Sequence, residues 1–443
     1  MVTMPTAPIP PIPAHQLLLF LLQVGGLLLL AFVLGRLARR VGLPPLVGEL
    51  CAGVLVGPSV LLHVAPAVSE WLLPRDPGQQ YMLDAVGQFG VLLLIALTGV
   101  HMDFGLVRRR GGDALRISVA GIAVPLAAGV GLGLALPGSL VPDTADRPTF
   151  ALFMGVAMGV SAIPVIARTL MDMKLLHRNV GQLILCAVMV DDIVGWMLLS
   201  VVAAMATTGV GAGDVVLPIV WLTVVLLGAG LARRPVAALL RAAQRSPGNG
   251  TLVTVVVLMT LLAAAATHAM GLEAVFGAFV AGIVISRSDA LDRERIAPLQ
   301  TMVAAVLAPV FFATAGLRMD LTALADPVVL LTGLGVLAVA VVGKFAGAYL
   351  GARLSRLNHW EGLALGAGMN ARGVIEVIIA MVGLRLGVLG PEMYTIIVLV
   401  AIATSLMAPP ILRTAMSRIE HTAEERLRAQ AFGVDDGSGS RAV

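Results

Sequence analysis

Long apolar runs alternate along the chain with short polar and basic stretches. A hydrocarbon core about 30 Å thick is crossed by about 20 apolar helical residues. Thirteen such runs can be traced, over residues 16–35, 43–62, 84–103, 112–136, 149–170, 178–207, 214–232, 250–268, 272–287, 298–316, 327–350, 358–384 and 391–412. They predict an all-α polytopic membrane protein with about thirteen transmembrane helices. The ninth run is short, and the second starts at Pro44-Pro45. The first run is long and lacks a small-residue cleavage site, so it reads as a retained helix and not as a signal peptide. No stretch between runs is long enough to fold as a soluble domain. Residues 1–15 form an N-terminal segment expected outside. Residues 413–443 are charged, then rich in Gly and Ser, and read as a mobile cytoplasmic tail.

The basic residues test this register independently, because Lys and Arg concentrate in cytoplasmic loops. Of the 30 Lys and Arg, 24 follow odd-numbered runs, among them Arg36, Arg39 and Arg40 after the first and Arg108, Arg109 and Arg110 after the third. Only Arg75, Arg147, Arg318 and Arg385 follow even-numbered runs, and Lys344 and Arg372 lie inside runs. Missing or inventing one run would scramble this split. The N-terminus is therefore expected outside and the C-terminus inside.

Composition sharpens the class. The chain is 58% hydrophobic and 13% charged, against about 25% charged in soluble proteins. Aromatics are scarce at 4% and Gly is abundant at 49 residues, which suits close-packed membrane helices better than a barrel with aromatic girdles. Cytoplasmic anchoring accounts for the net charge of +4, so no nucleic-acid partner is expected. Cys51 and Cys186 both lie in apolar runs and make neither a disulfide framework nor a metal cluster. No cofactor is expected.

Six charged residues lie deep in apolar runs: Glu49, Asp191, Asp192, Lys344, Arg372 and Glu376. Each costs about 2.5–3.5 kcal/mol on insertion scales, so by default such residues mark an ion or proton path. Asp191-Asp192, in CAVMVDDIVGW, is the sharpest signal. Neighbouring helical residues point about 100° apart, so the two acids need different partners. Asp191 lies about 20 Å in from Arg178, and Lys344 about 14 Å in from Arg353, at 1.5 Å per residue. An Asp–Lys pair is thus available, which leaves the other aspartate without a fixed counter-charge. Such a carboxylate either takes a proton or holds a hard cation through oxygen ligands. Competition of a proton and a cation for one carboxylate is antiporter chemistry.

The fifth run is interrupted at GVSAIPVIART, with Gly159, Ser161, Ala162 and Pro164. Pro164 removes a helical N–H and crowds the carbonyl of Val160. Freed carbonyls at membrane depth are tolerated only inside protein or around a water-filled cavity. They are expected to offer neutral oxygen ligands beside the Ser161 hydroxyl. Ala162 lies about 18 Å in from Lys174, level with the aspartates. A matching irregularity comes seven runs later, at GAGMNARGVIEVI, with Asn370 and Gly373. An odd offset makes the two segments run in opposite directions, the sequence pointer to an inverted-repeat transporter with a site near the midplane. Arg372 and Glu376 share one helical face at i, i+4 and read either as a structural ion pair or as part of the transport path. Glu49 reads as structural or interfacial, and His101 and His268 as interfacial.

Two other chemistries were weighed against antiport. A cation channel would need a repeated, filter-like stretch, and none is visible. An intramembrane aspartyl protease needs two carboxylates facing each other, which adjacent Asp191 and Asp192 do not do. Export of an organic cation or drug in exchange for protons stays open on the same scaffold.

The segments RVGLPPLVGELCAGVLVGPSVL, GVSAIPVIARTL, VMVDDIVGW, FFATAGLRMDL and MNARGVIEVIIA resemble, in order, those of the monovalent cation:proton antiporter-2 family. The likeness covers about 36–412. It implies a sodium/proton antiporter-like fold: a homodimer of thirteen-span protomers with two broken crossing helices. It also implies a moving core (112–207 and 327–412), a dimerisation domain (16–103 and 250–316) and a linker span (214–232). On the same likeness Asp192 matches the ion-binding aspartate, with Na+ or K+ and H+ as transported ions. Asp191 matches a preceding acid found in some members, Lys344 the lysine that pairs with it, and Ser161 a hydroxyl in the broken helix. Having both Asp191 and Lys344 is similar to the electrogenic subset. Potassium-efflux relatives add a cytoplasmic nucleotide-binding domain, for which a chain of 443 residues has no room. The expected setting is a bacterial plasma membrane.

Overall fold

The computed structural model describes residues 12–41, 43–74, 76–101, 104–161, 163–175, 177–208, 212–246, 248–288, 290–422 and 425. The first stretch holds α1 (Ala14–Arg40), α2 (Pro45–Val56), the short α3 (Leu61–Val64) and α4 (Pro66–Leu72), and α5 (Pro77–Val100). Next come α6 (Phe104–Ala135), α7 (Arg147–Gly159), α8 (Ile163–Asp172) and α9 (Asn179–Thr208), then the long α10 (Ala212–Gln244). α11 (Gly250–Ala269), α12 (Ala274–Arg287), α13 (Ala297–Met302) and α14 (Ala308–Leu317) follow. The chain closes with α15 (Pro327–Leu354), α16 (His359–Met369), α17 (Val374–Arg385) and α18 (Pro391–Met416). No strand occurs among the described residues.

Every expected apolar run falls on a helix or on a pair of half-helices. Among the described residues ten helices are long and apolar enough to cross a bilayer, and α16 with α17, bent by 46°, makes an eleventh. The expected ninth span is the shorter α12, of 14 residues. The fifth is divided into α7 and α8. Length and apolarity therefore support ten or eleven crossings, short of the thirteen expected.

Helix starts follow from local chemistry. Asp76 and Asp326 cap α5 and α15 through Gly78 N and Val328 N, each just ahead of a proline that needs no N–H partner. Asn358 and Glu361 make a capping box on α16, with both bonds at 2.8 Å. Small residues then let the helices close. A Cβ on Gly53 would meet the carbonyl of Ala313, and one on Gly316 the carbonyl of Leu50, so α2 and α14 pack backbone to backbone. Gly347 plays the same part between α15 and α6, against the carbonyl of Ala120. Large apolar side chains such as Leu29 and Phe32 of α1 and Leu227 and Leu231 of α10 are exposed, as a lipid-facing surface requires.

The order of one long helix, two half-helices and one long helix occurs twice, as α6 to α9 and as α15 to α18. The two sets pack on each other, and Asp191, Asp192, Lys344, Arg372 and Glu376 are buried between them. At one end the chain beyond α18 returns to the start of α9. Arg178, 3% exposed, donates to the carbonyls of Ile419 (2.9 Å) and Glu420 (3.2 Å) and pairs with Glu425 at 3.3 Å. Glu425 also accepts from the N–H of Asn179, the first residue of α9. Part of the expected tail is thus bonded to the bundle.

Candidate functional site

The first break leaves α7 ending at Gly159, Val160 extended (φ −82, ψ 149), and α8 starting at Ile163. Pro164 takes the second position of α8, where its missing N–H costs nothing. Ala162 lies outside the described residues. The second break leaves α16 ending at Met369 and α17 starting at Val374, with Asn370 to Gly373 between them. The breaks cross. Ser161 Oγ lies 2.9 Å from the carbonyl of Met369. Arg372 of the second break donates to the carbonyls of Ala157 (2.8 Å) and Met158 at the end of α7. A Cβ on Gly373 would lie 2.6 Å from Val165 of α8.

α9 passes beside this crossing and brings in Asp191 and Asp192, both fully buried. Gly195, one turn on, allows the approach: a Cβ there would lie 2.7 Å from the Val160 side chain. Lys344 of α15 donates to Asp191 Oδ2 at 2.8 Å and to the carbonyl of Gly159 at 2.6 Å. Ser161 Oγ is also 2.8 Å from Asp191 Oδ2. Ser118, from the middle of α6, donates to Asp191 Oδ1 at 2.6 Å.

Three of the four half-helix ends at the crossing meet a group of the appropriate sign, and the carboxyl end of α16 meets the neutral Ser161 hydroxyl. The carboxyl end of α7, where carbonyls lack partners, is met by the cations Lys344 and Arg372. The amino end of α17 is met by Glu376, whose Oε2 accepts from Gly373 N at 2.8 Å. The amino end of α8 has Ile163 near Asp192. The carbonyls of Ala157, Met158 and Gly159 at the end of α7 are therefore held by the protein's own cations.

The charges do not balance. Three carboxylates and two cations are buried here, all at 0 or 1% exposure. Lys344 takes Asp191 at 2.8 Å, and Arg372 takes Glu376 at 3.5 Å. Asp192 is left over: the backbone N–H of Ile163 comes close to it, and no side chain among the described residues bonds or pairs with it. An isolated ionised carboxylate away from water is costly by far more than a neutral polar group. The site is built to want one more positive charge at Asp192. Asn370, at the end of α16, is likewise fully buried with neither amide atom bonded.

Of the predicted residues, Gly159, Ser161, Asp191, Asp192, Lys344, Asn370, Arg372, Gly373 and Glu376 all belong to this crossing. Glu49 stands apart on α2, against Gly35 of α1. His101 closes α5, its Nδ1 2.7 Å from the carbonyl of Leu97, and His268 sits in the last turn of α11. Two participants have no signal in the sequence: Ser118, and Ser405 of α18, whose hydroxyl donates to the carbonyl of Arg372. A serine in an apolar helix ordinarily bonds its own preceding turn.

Comparison with known proteins agrees with this architecture. The family described as sodium/hydrogen exchanger, transmembrane, matches residues 27–418. The chain is 33% identical over 401 residues to the Na(+)/H(+) antiporter NhaS4 of Synechocystis, covering 90% of this chain and 97% of that one. It is 32% identical to cation/H(+) antiporter 20 of Arabidopsis thaliana, covering 88% of this chain but only 48% of that protein. It is 25% identical to K(+)/H(+) antiporter 1 of Saccharomyces cerevisiae, covering 90% of this chain and 46% of that one. The fold is similar to that of the sodium proton antiporter MjNhaP1 from Methanocaldococcus jannaschii, with a TM-score of 0.67 at 16% identity over 90% of this chain and 99% of that one. The chain thus belongs to the sodium/hydrogen exchanger family, a membrane protein of the monovalent cation:proton antiporter kind.

Proposed function

We propose that the protein exchanges a monovalent cation, Na+ or K+, for H+ by alternating access, and that Asp192 binds cation and proton in competition. The observation that carries this is Asp192, among the described residues a fully buried carboxylate with no counter-charge and no side-chain hydrogen bond, beside two broken helices. With a proton or a cation on Asp192 the site is neutral and can move; empty and ionised, it is held back by the cost of a buried charge. That difference couples the two ions. Ser161, one hydroxyl from the crossing, is the neutral ligand. In an electrogenic cycle a second proton is carried on Asp191 when the Lys344 pair opens.

The moving core comprises α6 to α9 and α15 to α18, the scaffold α1 to α5 and α11 to α14, and α10 links them. Three hydrogen bonds among the described residues tie core to scaffold: Arg385 to Glu273 at 2.6 Å, Tyr394 OH to the carbonyl of Ala315 at 2.6 Å, and Asp320 N to Thr395 Oγ1 at 3.1 Å. All lie near the ends that the basic-residue register assigns to the outside, which supports a cytoplasm-facing state. The protomer is expected to pair through its scaffold in a bacterial plasma membrane. A ΔpH assay in vesicles, with Na+, K+ and Li+ compared, tests the exchange. Cation-dependent proton movement is expected, reduced to the level of protein-free vesicles in Asp192→Asn. Full activity of that variant would overturn the assignment of the site.

A further inference from the structure

α6 and α15 are closely packed over several turns. A Cβ on Gly343 would meet Pro125, one on Gly347 the carbonyl of Ala120, and one on Gly351 the Cα of Ile117. Beyond Gly351 the seam opens. α15 ends in a turn at Ser355 and Arg356, closed by Leu357 N on the carbonyl of Ala352 at 3.0 Å. There a groove of about 570 Å³ is lined by Asp113 and Arg116 of α6 and by Leu354, Ser355 and Arg356. The basic-residue register assigns this end to the cytoplasmic side.

The walls carry two guanidinium groups and one carboxylate, an excess of one positive charge. Arg116 meets Asp113 at 3.3 Å, an exposed pair that uses one of its five N–H donors. Arg356 has no ion pair or side-chain hydrogen bond among the described residues. The Ser355 hydroxyl oxygen is buried and has no hydrogen-bond partner among them. Two guanidinium forks and a free hydroxyl donor suit a phosphate group. What adjoins the groove identifies the source of that phosphate. Ala346, Leu350 and Leu354 stand one turn apart on one face of α15, and all three are exposed. This apolar row leads from the groove toward mid-membrane. A free anion gains nothing from it, whereas a lipid uses both parts, phosphate at the surface and hydrocarbon below.

We propose that the groove between α6 and α15 binds an anionic phospholipid, its phosphate held by Arg116, Arg356 and the Ser355 hydroxyl and one acyl chain along Ala346, Leu350 and Leu354. α6 belongs to one four-helix set and α15 to the other, so the lipid ties the two sets together at this end. Binding there does not depend on antiport, and the test reads binding and Tm instead of transport. The full chain in neutral detergent is titrated with phosphatidylglycerol, phosphatidylcholine or inorganic phosphate at matched concentrations. Bound lipid is counted by native mass spectrometry while Tm is followed. Phosphatidylglycerol should bind and raise Tm, and the other two should do so far less. A hydrogen bond to a charged group contributes about a tenfold change in Kd. Arg116→Gln with Arg356→Gln should therefore weaken phosphatidylglycerol binding by at least about tenfold and remove the rise in Tm. Arg36→Gln, which takes the same charge from an exposed arginine at the same side, should leave both unaltered. Unchanged affinity in the double variant, or an equal loss in Arg36→Gln, overturns the site. A rise in Tm as large with inorganic phosphate overturns the lipid as its occupant. Should the double variant fail to fold, Arg356→Gln alone, on an exposed turn, carries the test, and unchanged affinity there counts against the proposal.

Discussion

The two helix breaks are built alike and differ in one respect. Each puts an acid beside the amino end of its second half-helix: Asp192 near Ile163 of α8, and Glu376 at the start of α17. Glu376 is engaged through one oxygen, Oε2, bonded to Gly373 N at 2.8 Å, while its Oε1 has no hydrogen bond and faces Arg372 at 3.5 Å. Asp192 has only the Ile163 backbone N–H beside it, and no side-chain bond or counter-charge of its own among the described residues. The same local design thus leaves one acid paired and the other without a cation. The protein supplies the cation for Glu376; on the proposed function, the transported ion supplies it for Asp192.

The strongest way to break this comparison is to neutralise each acid without changing its shape. Asp192→Asn should abolish cation-dependent ΔpH and leave thermal stability in detergent unchanged or raised, since it removes an unpaired buried charge. Glu376→Gln should do the reverse in kind: Arg372 is stranded, at a cost of about 3–5 kcal/mol, read as a large fall in Tm. Equal effects on Tm would erase the distinction between the paired acid and the unpaired one. A smaller effect is expected at the first break. Gly195→Ala sets a Cβ 2.7 Å from the Val160 side chain, and overpacking of this sort costs about 1–3 kcal/mol. It should lower the transport rate with a modest loss of Tm, whereas Gly228→Ala on α10, where a Cβ meets nothing within 4 Å, should leave both unaltered.

The smallest expected effect lies far from the crossing, where Glu425 caps α9. Burial pushes its carboxyl up, but the N–H groups of Thr422 and Asn179 and the Arg178 guanidinium outweigh that and hold it below its ordinary value. A carboxyl held low in the folded state adds stability above its unfolded value and loses it as pH falls through the folded one. The protection factor for hydrogen exchange at the first turn of α9, measured against the intrinsic rate at each pH, should therefore be high at neutral pH and fall in acid, below the usual carboxylate range. Glu425→Gln should lower it at neutral pH by the loss of a cap, about 1 kcal/mol. Protection that ignores both pH and substitution would show that the returning tail does not secure α9.

Much of this was legible in one dimension. The apolar runs, the alternation of basic loops and the intramembrane residues Asp191, Asp192, Lys344, Arg372 and Glu376 need no neighbours to be recognised. The interruptions at Pro164 and at Asn370 to Gly373 were equally visible, because a proline or a glycine cluster disturbs its own helix. The destination of the carbonyls at the end of α7 was not visible. Arg372 and Lys344, some two hundred residues along, hold those of Ala157, Met158 and Gly159. Nor could Ser118 be chosen from the other serines of apolar helices, since only its 2.6 Å approach to Asp191 distinguishes it.

The sequence by itself determined that this is a helical membrane protein with costly charges at mid-depth. Insertion free energy is local and roughly additive, so each run and each charge can be judged alone. Only the tertiary structure decided which of the two neighbouring aspartates is tied to Lys344 and which stands open. That choice depends on about 100° of rotation around α9 and on which helices flank it, and no spacing along the chain records it.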